Sequence, residues 1–359
     1  MANWYLSPTG SDSNSGHTDN PTTGAKKTSA GLISAGFVTG DRLFLYPYAT
    51  VGAYTNANTG RINFPGYGGS DYVSGVSNGI GRDINNGIIE GRGSLLTTTL
   101  ATTQNTTEQA ISIAGTNWTV RNLTISQTGT NNDGIENFAL FMGPSGTIVD
   151  CTIFAAGTCT AWGSPTATNA NGDNYPATDP QQIRNCVMYS GIAVIDAGGQ
   201  TGTLLVEDTI AEVAKTPGFG VGFLLSNGPN IFRRCHIRIV GALGDSAQHP
   251  GIVFVSGVSL ADEVPGVDLT VEECSIRLAG RTSQAYCRVM GYGGHKFGNV
   301  VFRNTPVFAP EDCESDVTFN SFTAINSPFF TDPYGSNGPR KTWSSTHLPR
   351  IKYPLLETA

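Results

Sequence analysis

Short alternations of apolar and polar residues recur along this chain in a fixed phrase. Its clearest form is GTIVDCTIFAAG (146–157), and it returns as QQIRNCVMYSG (181–191), NIFRRCHIRIVG (230–241) and LTVEECSIRLAG (269–280). Looser copies are WTVRNLTIS (118–126), TLLVEDTIAEV (203–213) and VVFRNTPVF (300–308). Each reads as a strand with period-2 alternation, a polar bend, and a second short strand. A third strand fits between copies: AISI (110–113), ALFM (139–142), IAVI (192–195), GFLL (222–225), IVFV (252–255) and YCRVM (286–290). One supersecondary unit repeated every few tens of residues predicts a solenoid.

Aligning the copies on the bend places Leu123, Cys151, Cys186, Asp208, Cys235, Cys274 and Thr305 in equivalent positions. In a parallel solenoid such positions stack about 4.8 Å apart. Four of the seven cysteines then fall on one line, interrupted by an aspartate or by whole rungs, and none forms a CxxC pair. That pattern suits small buried residues better than a disulfide scaffold or a metal cluster. The preceding position holds Asn122, Asp150, Asn185, Glu207, Arg234, Glu273 or Asn304, residues suited to a bend.

The ends differ from the middle. Residues 1–55 read as a cap containing a short amphipathic helix, TSAGLISAG (28–36), and a turn at Gly40-Asp41 into an apolar run at 42–46. A cap is needed because an uncovered rung is a sticky edge. Residues 56–330 form the repeat region, and 331–359 is a tail with four prolines and no strand periodicity, expected to lie against a neighbouring subunit. YLSPTGSD (5–12), the helix, Gly40-Asp41 and the strand after them resemble the opening of the pectin-lyase-like proteins, which include many phage tail spikes. That resemblance, covering roughly residues 4–330, implies an all-β fold, a single right-handed parallel β-helix.

Composition agrees with many short strands and tight turns: 45 glycines, and only 14% charged residues against about 25% in typical proteins. The net charge is −7 and the basic residues form no stripe, so a nucleic-acid partner is not expected. No apolar run is long enough for a membrane helix, and the first residues lack the features of a secretory signal. A protein made in the host cytoplasm and carried on a virion is the expectation.

Chemistry is sought on the connections of uneven length, 127–138, 155–181, 211–221, 239–251 and 278–285, because insertions on one face of a solenoid mark its working surface. The acid, base and cation candidates are Asp133, Glu136, Asp173, Asp179, Asp245, His249 and Arg281. Glycoside hydrolysis needs two flanking carboxylates, and a lyase needs carboxylates for Ca²⁺ with a basic residue beside the sugar. Trp162, Tyr175, Phe219 and Tyr292 are the candidate sugar-stacking residues, and all could converge on one groove. Against catalysis, polygalacturonase-like hydrolases of this fold carry adjacent aspartates and a Gly-His-Gly turn. This chain has no Asp-Asp pair, and its nearest turn is Gly293-Gly294-His295. No catalytic residue, metal or cofactor is therefore assigned. The resemblance favours a non-enzymatic capsid decoration or cement protein, assembled as a homotrimer with other virion proteins. The competing reading is a polysaccharide depolymerase, lyase or glycan-binding tail spike acting on host surface polysaccharide.

Overall fold

The polar bend decides the architecture. Asn122, Asp150, Asn185, Asp208, Arg234, Glu273, Asn304 and Asn326 all have φ between 48° and 56°, the left-handed region. Asn and Asp enter that region at little cost, and a single left-handed residue turns one strand into the next at a sharp corner. The computed structural model describes residues 1–64, 84–100, 109–129, 138–143, 145–162, 180–198, 201–214, 220–240, 251–256, 265–279, 287–291, 295–309, 311–313 and 317–331.

Each rung contributes three walls. The first wall holds the strands before the corner, such as Gly146–Val149, Gln181–Arg184, Leu204–Glu207, Asn230–Arg233, Val267–Glu272 and Lys296–Arg303. The second holds those after it, such as Thr152–Ala155, Val187–Ser190, Ile210–Ala214, His236–Val240 and Ser275–Ala279. Among the described residues these two walls join into one 19-stranded parallel sheet. The third wall is a nine-stranded sheet of strands such as Ile111–Ile113, Phe138–Met142, Thr158–Trp162, Ala193–Asp196 and Gly251–Val255. Among the described residues neighbouring rungs pair in parallel, and the molecule is an all-β parallel β-helix.

Side chains repeat vertically because the register is kept from rung to rung. On the first wall Trp4, Leu43, Ile89, Val120, Ile148, Ile183, Val206, Phe232, Val271 and Phe302 are consecutive inward partners, all buried. Opposite them, Phe223 and Phe254 of the third wall stack at 5.7 Å, and Phe232 meets both edge-on at 4.7 and 5.0 Å. These buried rings form a continuous apolar column among the described residues.

The ladder begins inside the segment read as a cap. Asn3–Leu6 pairs in register with Arg42–Leu45, which pairs with Ile88–Leu100. The free edge of the first strand is covered by the chain itself: the Tyr5 N–H donates to Gly16, and the Lys26 N–H donates to Tyr5. The expected helix, α1 (Ser29–Ala35), forms with Thr28 as N-cap and Gly36 in the left-handed C-cap conformation. It closes the third-wall end, where Phe37 packs on Phe64 at 5.0 Å and Phe64 on Trp118 at 4.6 Å. Gly87 is required here, since a Cβ would lie 2.5 Å from the Trp118 ring. Asp41 fixes the start of the chain by accepting from the Ala2 N–H at 2.6 Å and Trp4 Nε1 at 2.9 Å.

Two details of the alignment are corrected by the register. Val187 pairs with Ile210, so Thr209, not Asp208, occupies the position equivalent to Cys186. Asp208 sits one residue earlier, at the left-handed corner, where its carboxylate stays in solvent and meets Arg234. The buried slot instead takes a hydroxyl that can donate back to Glu207 O at 2.8 Å. The cysteines of the line are also not isolated from one another. Cys151 lies directly before Cys186, and Cys235 directly before Cys274, with Thr209 between the two pairs.

Candidate functional site

Three parallel columns run along the corner between the first and second walls. The innermost is Ser94, Leu123, Cys151, Cys186, Thr209, Cys235, Cys274, Thr305 and Ser327. Cys274 N–H donates to Thr305 Oγ1 at 3.1 Å, and Thr305 N–H donates to Ser327 Oγ at 3.1 Å. From Cys151 to Ser327 each hydroxyl or thiol in turn donates to the carbonyl two residues back, as Cys186 Sγ does to Arg184 O at 3.2 Å. The column replaces the ladder hydrogen bonds that the corner would otherwise break. A hydrogen bond to Cys186, with burial second, raises the Cys151 thiol well above its ordinary value, and burial raises Cys159. Protonated, buried thiols are poor nucleophiles and poor metal ligands. The five cysteines Cys151, Cys159, Cys186, Cys235 and Cys274 are free and buried.

The second column is charged and alternates in sign: Arg184, Glu207, Arg233, Glu272, Arg303 on successive rungs. Arg184 reaches Glu207 at 3.3 Å, Arg233 reaches Glu207 at 3.7 Å and Glu272 at 3.1 Å, and Arg303 reaches Glu272 at 3.3 Å. The third column is the left-handed corner itself, where Asn185 donates to Asp150 at 2.6 Å and Arg234 to Asp208 at 2.7 and 2.9 Å. The Arg234 guanidinium holds the Asp208 carboxyl below its usual range. Further up, Glu90 binds the Arg121 Nε at 2.5 Å and Asn122 at 2.8 Å. Carboxylates along this corner tie one rung to the next.

The outward face of the second wall is mixed. Phe154 and Tyr189 are register partners with coplanar rings 5.1 Å apart, 43% and 36% exposed. Each covers one face of the other. Next come Glu212 and Arg238, paired at 3.2 Å, then Arg277 and Phe308. His236 Nδ1 shares a hydrogen bond with the Ser275 hydroxyl on the next rung. Ser275, Arg238 and Arg277 were not singled out from the sequence, although the aligned copies HIR and SIR carry arginine at the same place.

Of the candidate residues, the described part of the structure contains Trp162. It ends the third-wall strand Thr158–Trp162 and is 3% exposed, packed with the main core. Its expected role as an exposed sugar-stacking ring is therefore corrected: all five residues of this strand are buried, the indole among them. Asp133, Glu136, Asp173, Tyr175, Asp179, Phe219, Asp245, His249, Arg281 and Tyr292 lie outside the described residues. The strands on either side of them nevertheless separate these positions into two groups. Segments 130–137, 215–219, 241–250 and 280–286 join the second wall to the third, whereas 163–179 and 292–294 join the third wall to the first. The connection read as 155–181 contains a strand of its own, which moves its insertion to another corner.

The cap holds a further polar cluster. The Arg92 guanidinium lies 5.5, 5.2 and 4.9 Å from the ring centroids of Tyr5, Phe44 and Tyr46, and pairs with Asp19 at 3.3 Å. Its Nε donates to Leu45 O at 3.0 Å. These contacts pin the first rungs together.

The fold defines the chain as a parallel β-helix protein. No protein-family model matches the chain, and no curated protein matches it. Among solved structures it is similar to the pectate lyase Pel9A, with 13% identity and a TM-score of 0.31 over 94% of this chain and 79% of that one.

Proposed function

We propose that this protein is a non-enzymatic structural component of a bacteriophage particle, a capsid decoration or cement protein that acts as a homotrimer. The observation that carries the reading is the use of carboxylates along the corner. Glu90, Glu207, Asp208 and Glu272 along the corner, and Glu212 on the second wall beside it, each hold a guanidinium of a neighbouring rung. Acids used as staples between rungs are not available as a catalytic pair.

A second observation supports assembly. The N-terminal end of the ladder is covered by α1 and residues 16–26. At the other end, Glu311–Cys313, Thr318–Ile325 and Phe329–Thr331 pair with strands of the preceding rung and with no later described strand. The chain runs on from Thr331, in that last rung, through residues 332–359. In this reading those residues act as an arm between subunits, covering the edge as edges of solenoids must be covered.

Sugar release from host surface polysaccharide tests the reading against the depolymerase or lyase alternative. The expected result is no release of reducing ends or unsaturated sugars by the full chain. Release that disappears in Asp245→Ala or Asp173→Ala would overturn the proposal in favour of the enzyme.

A further inference from the structure

The outward face of the second wall breaks a rule that the corner beside it keeps. Along the corner each arginine lies opposite a carboxylate on a neighbouring rung, in the sequence Arg184, Glu207, Arg233, Glu272, Arg303. On the second wall His236–Val240 and Ser275–Ala279 pair in register, which puts Arg238 directly opposite Arg277. Ile237 and Ile276 between the outward residues are buried, so both arginines project from the same face. Arg238 is held from the rung above by Glu212 at 3.2 Å. Arg277 is exposed, makes no ion pair among the described residues, and has Phe308 as its partner on the rung below. Like charges opposite one another on adjacent strands are unfavourable unless something lies between them. Two residues back on the same face, His236 Nδ1 and the Ser275 hydroxyl form a polar border.

We propose that Arg238 and Arg277, with the Ser275 hydroxyl and His236 beside them, form a binding site for a tetrahedral oxyanion, a phosphate or sulfate group. The two forks belong to strands about 4.8 Å apart. A carboxylate that bridges two arginines spends one oxygen on each, as Glu207 does between Arg184 and Arg233. A tetrahedral group has enough oxygens to accept from both forks and from a hydroxyl at once. The Glu212 carboxylate engages Arg238 from the far side and leaves the space between the two arginines to the ligand. General attraction is not the source of such binding, because the chain carries a net charge of −7. The site belongs to the wall and does not depend on the structural role proposed above.

The test is a titration of the full chain followed by the arginine side-chain N–H resonances, at constant ionic strength. Inorganic phosphate, sulfate, methyl phosphate and acetate are the probes. Saturable shifts of Arg238 and Arg277 are expected with phosphate or sulfate, at least tenfold weaker with acetate, and the tighter of the two assigns the group. Retention of affinity by methyl phosphate indicates an esterified ligand, and its loss indicates the free ion; both keep the site. Arg277→Gln is expected to weaken binding at least tenfold, and Arg303→Gln to leave it unchanged. Arg277→Lys keeps the charge and removes the fork, so it also loses most of the affinity. Equal binding of acetate, or wild-type affinity in both Arg277 variants, would overturn the proposal.

Discussion

At the scale of single residues, the corner selects for backbone conformation before chemistry. Most of its left-handed positions hold Asn or Asp, which reach that region easily. Arg234 and Glu273 do not, with φ of 51° and 54°. Arg234 offsets the strain through its two bonds to Asp208, whereas Glu273 makes no side-chain hydrogen bond among the described residues. Glu273→Asn is therefore expected to raise stability by about 0.5–1 kcal/mol, read as a shift in denaturation midpoint. An unchanged or lower midpoint would show that Glu273 has a partner that offsets its strain.

A second residue-scale prediction concerns Asp12, which accepts from the Lys27 and Thr28 N–H groups at 3.0 and 2.9 Å and from the Thr28 hydroxyl at 2.7 Å. Burial alone would raise its pKa, but the bonds from Thr28 and Lys27 outweigh it and lower the carboxyl below 3.8. A depressed carboxyl stabilises the folded cap above its unfolded value and loses that contribution as pH falls through the folded one. Cap stability should therefore decline below about pH 4. Asp12→Asn should be less stable at neutral pH and less sensitive to acid. Hydrogen exchange at Thr28 and Gly31 follows the change, and identical acid profiles for the two proteins would contradict it.

At the scale of elements, the alternating charges act as a register code. A rung that skipped its neighbour would set Arg184 against Arg233, or Glu207 against Glu272, and like pairs are unfavourable. Glu207→Arg places a third positive charge between Arg184 and Arg233 and should cost about 1 kcal/mol at low salt. Much of the loss should return at 1 M salt, where screening acts within about 3 Å. Denaturation of variant and parent at both ionic strengths reads this directly, and a salt-independent loss would assign the effect to packing. The strands themselves were legible in the sequence, because period-2 alternation follows from a wall with one face in the core. The third-wall strands at 110–113, 139–142, 192–195 and 252–255 and the helix before Gly36 were legible for the same reason. Thr158–Trp162 was not, since a continuous run of small and apolar residues after two glycine-bounded turns looks like a loop. Asp208 was aligned one place late because VEDT offers two adjacent polar residues, and only the pairing of Val187 with Ile210 decides between them. The vertical pairing of charges was equally hidden, since partners 23 to 39 residues apart have no local signal.

At the scale of the whole molecule, the chain is one column whose rungs depend on their neighbours. Solenoid stability sums rung and interface terms, so both ends must be finished for the column to remain soluble. The N-terminal finish is built into the fold, where residues 16–26 cover the edge of the first strand and α1 closes the third-wall end. In the proposed reading residues 332–359 supply the other finish, as the arm between subunits. Glu90, Glu207, Asp208, Glu212 and Glu272 are engaged in rung-to-rung contacts.

Light scattering on the full chain and on a chain ending at Thr331 tests that proposal most directly. The account predicts a trimer mass for the full chain and a loss of trimer for the shortened one, with the β-sheet circular dichroism of both preserved. A shortened chain that kept the same oligomeric mass, or a full chain that ran as a monomer at every concentration, would contradict it.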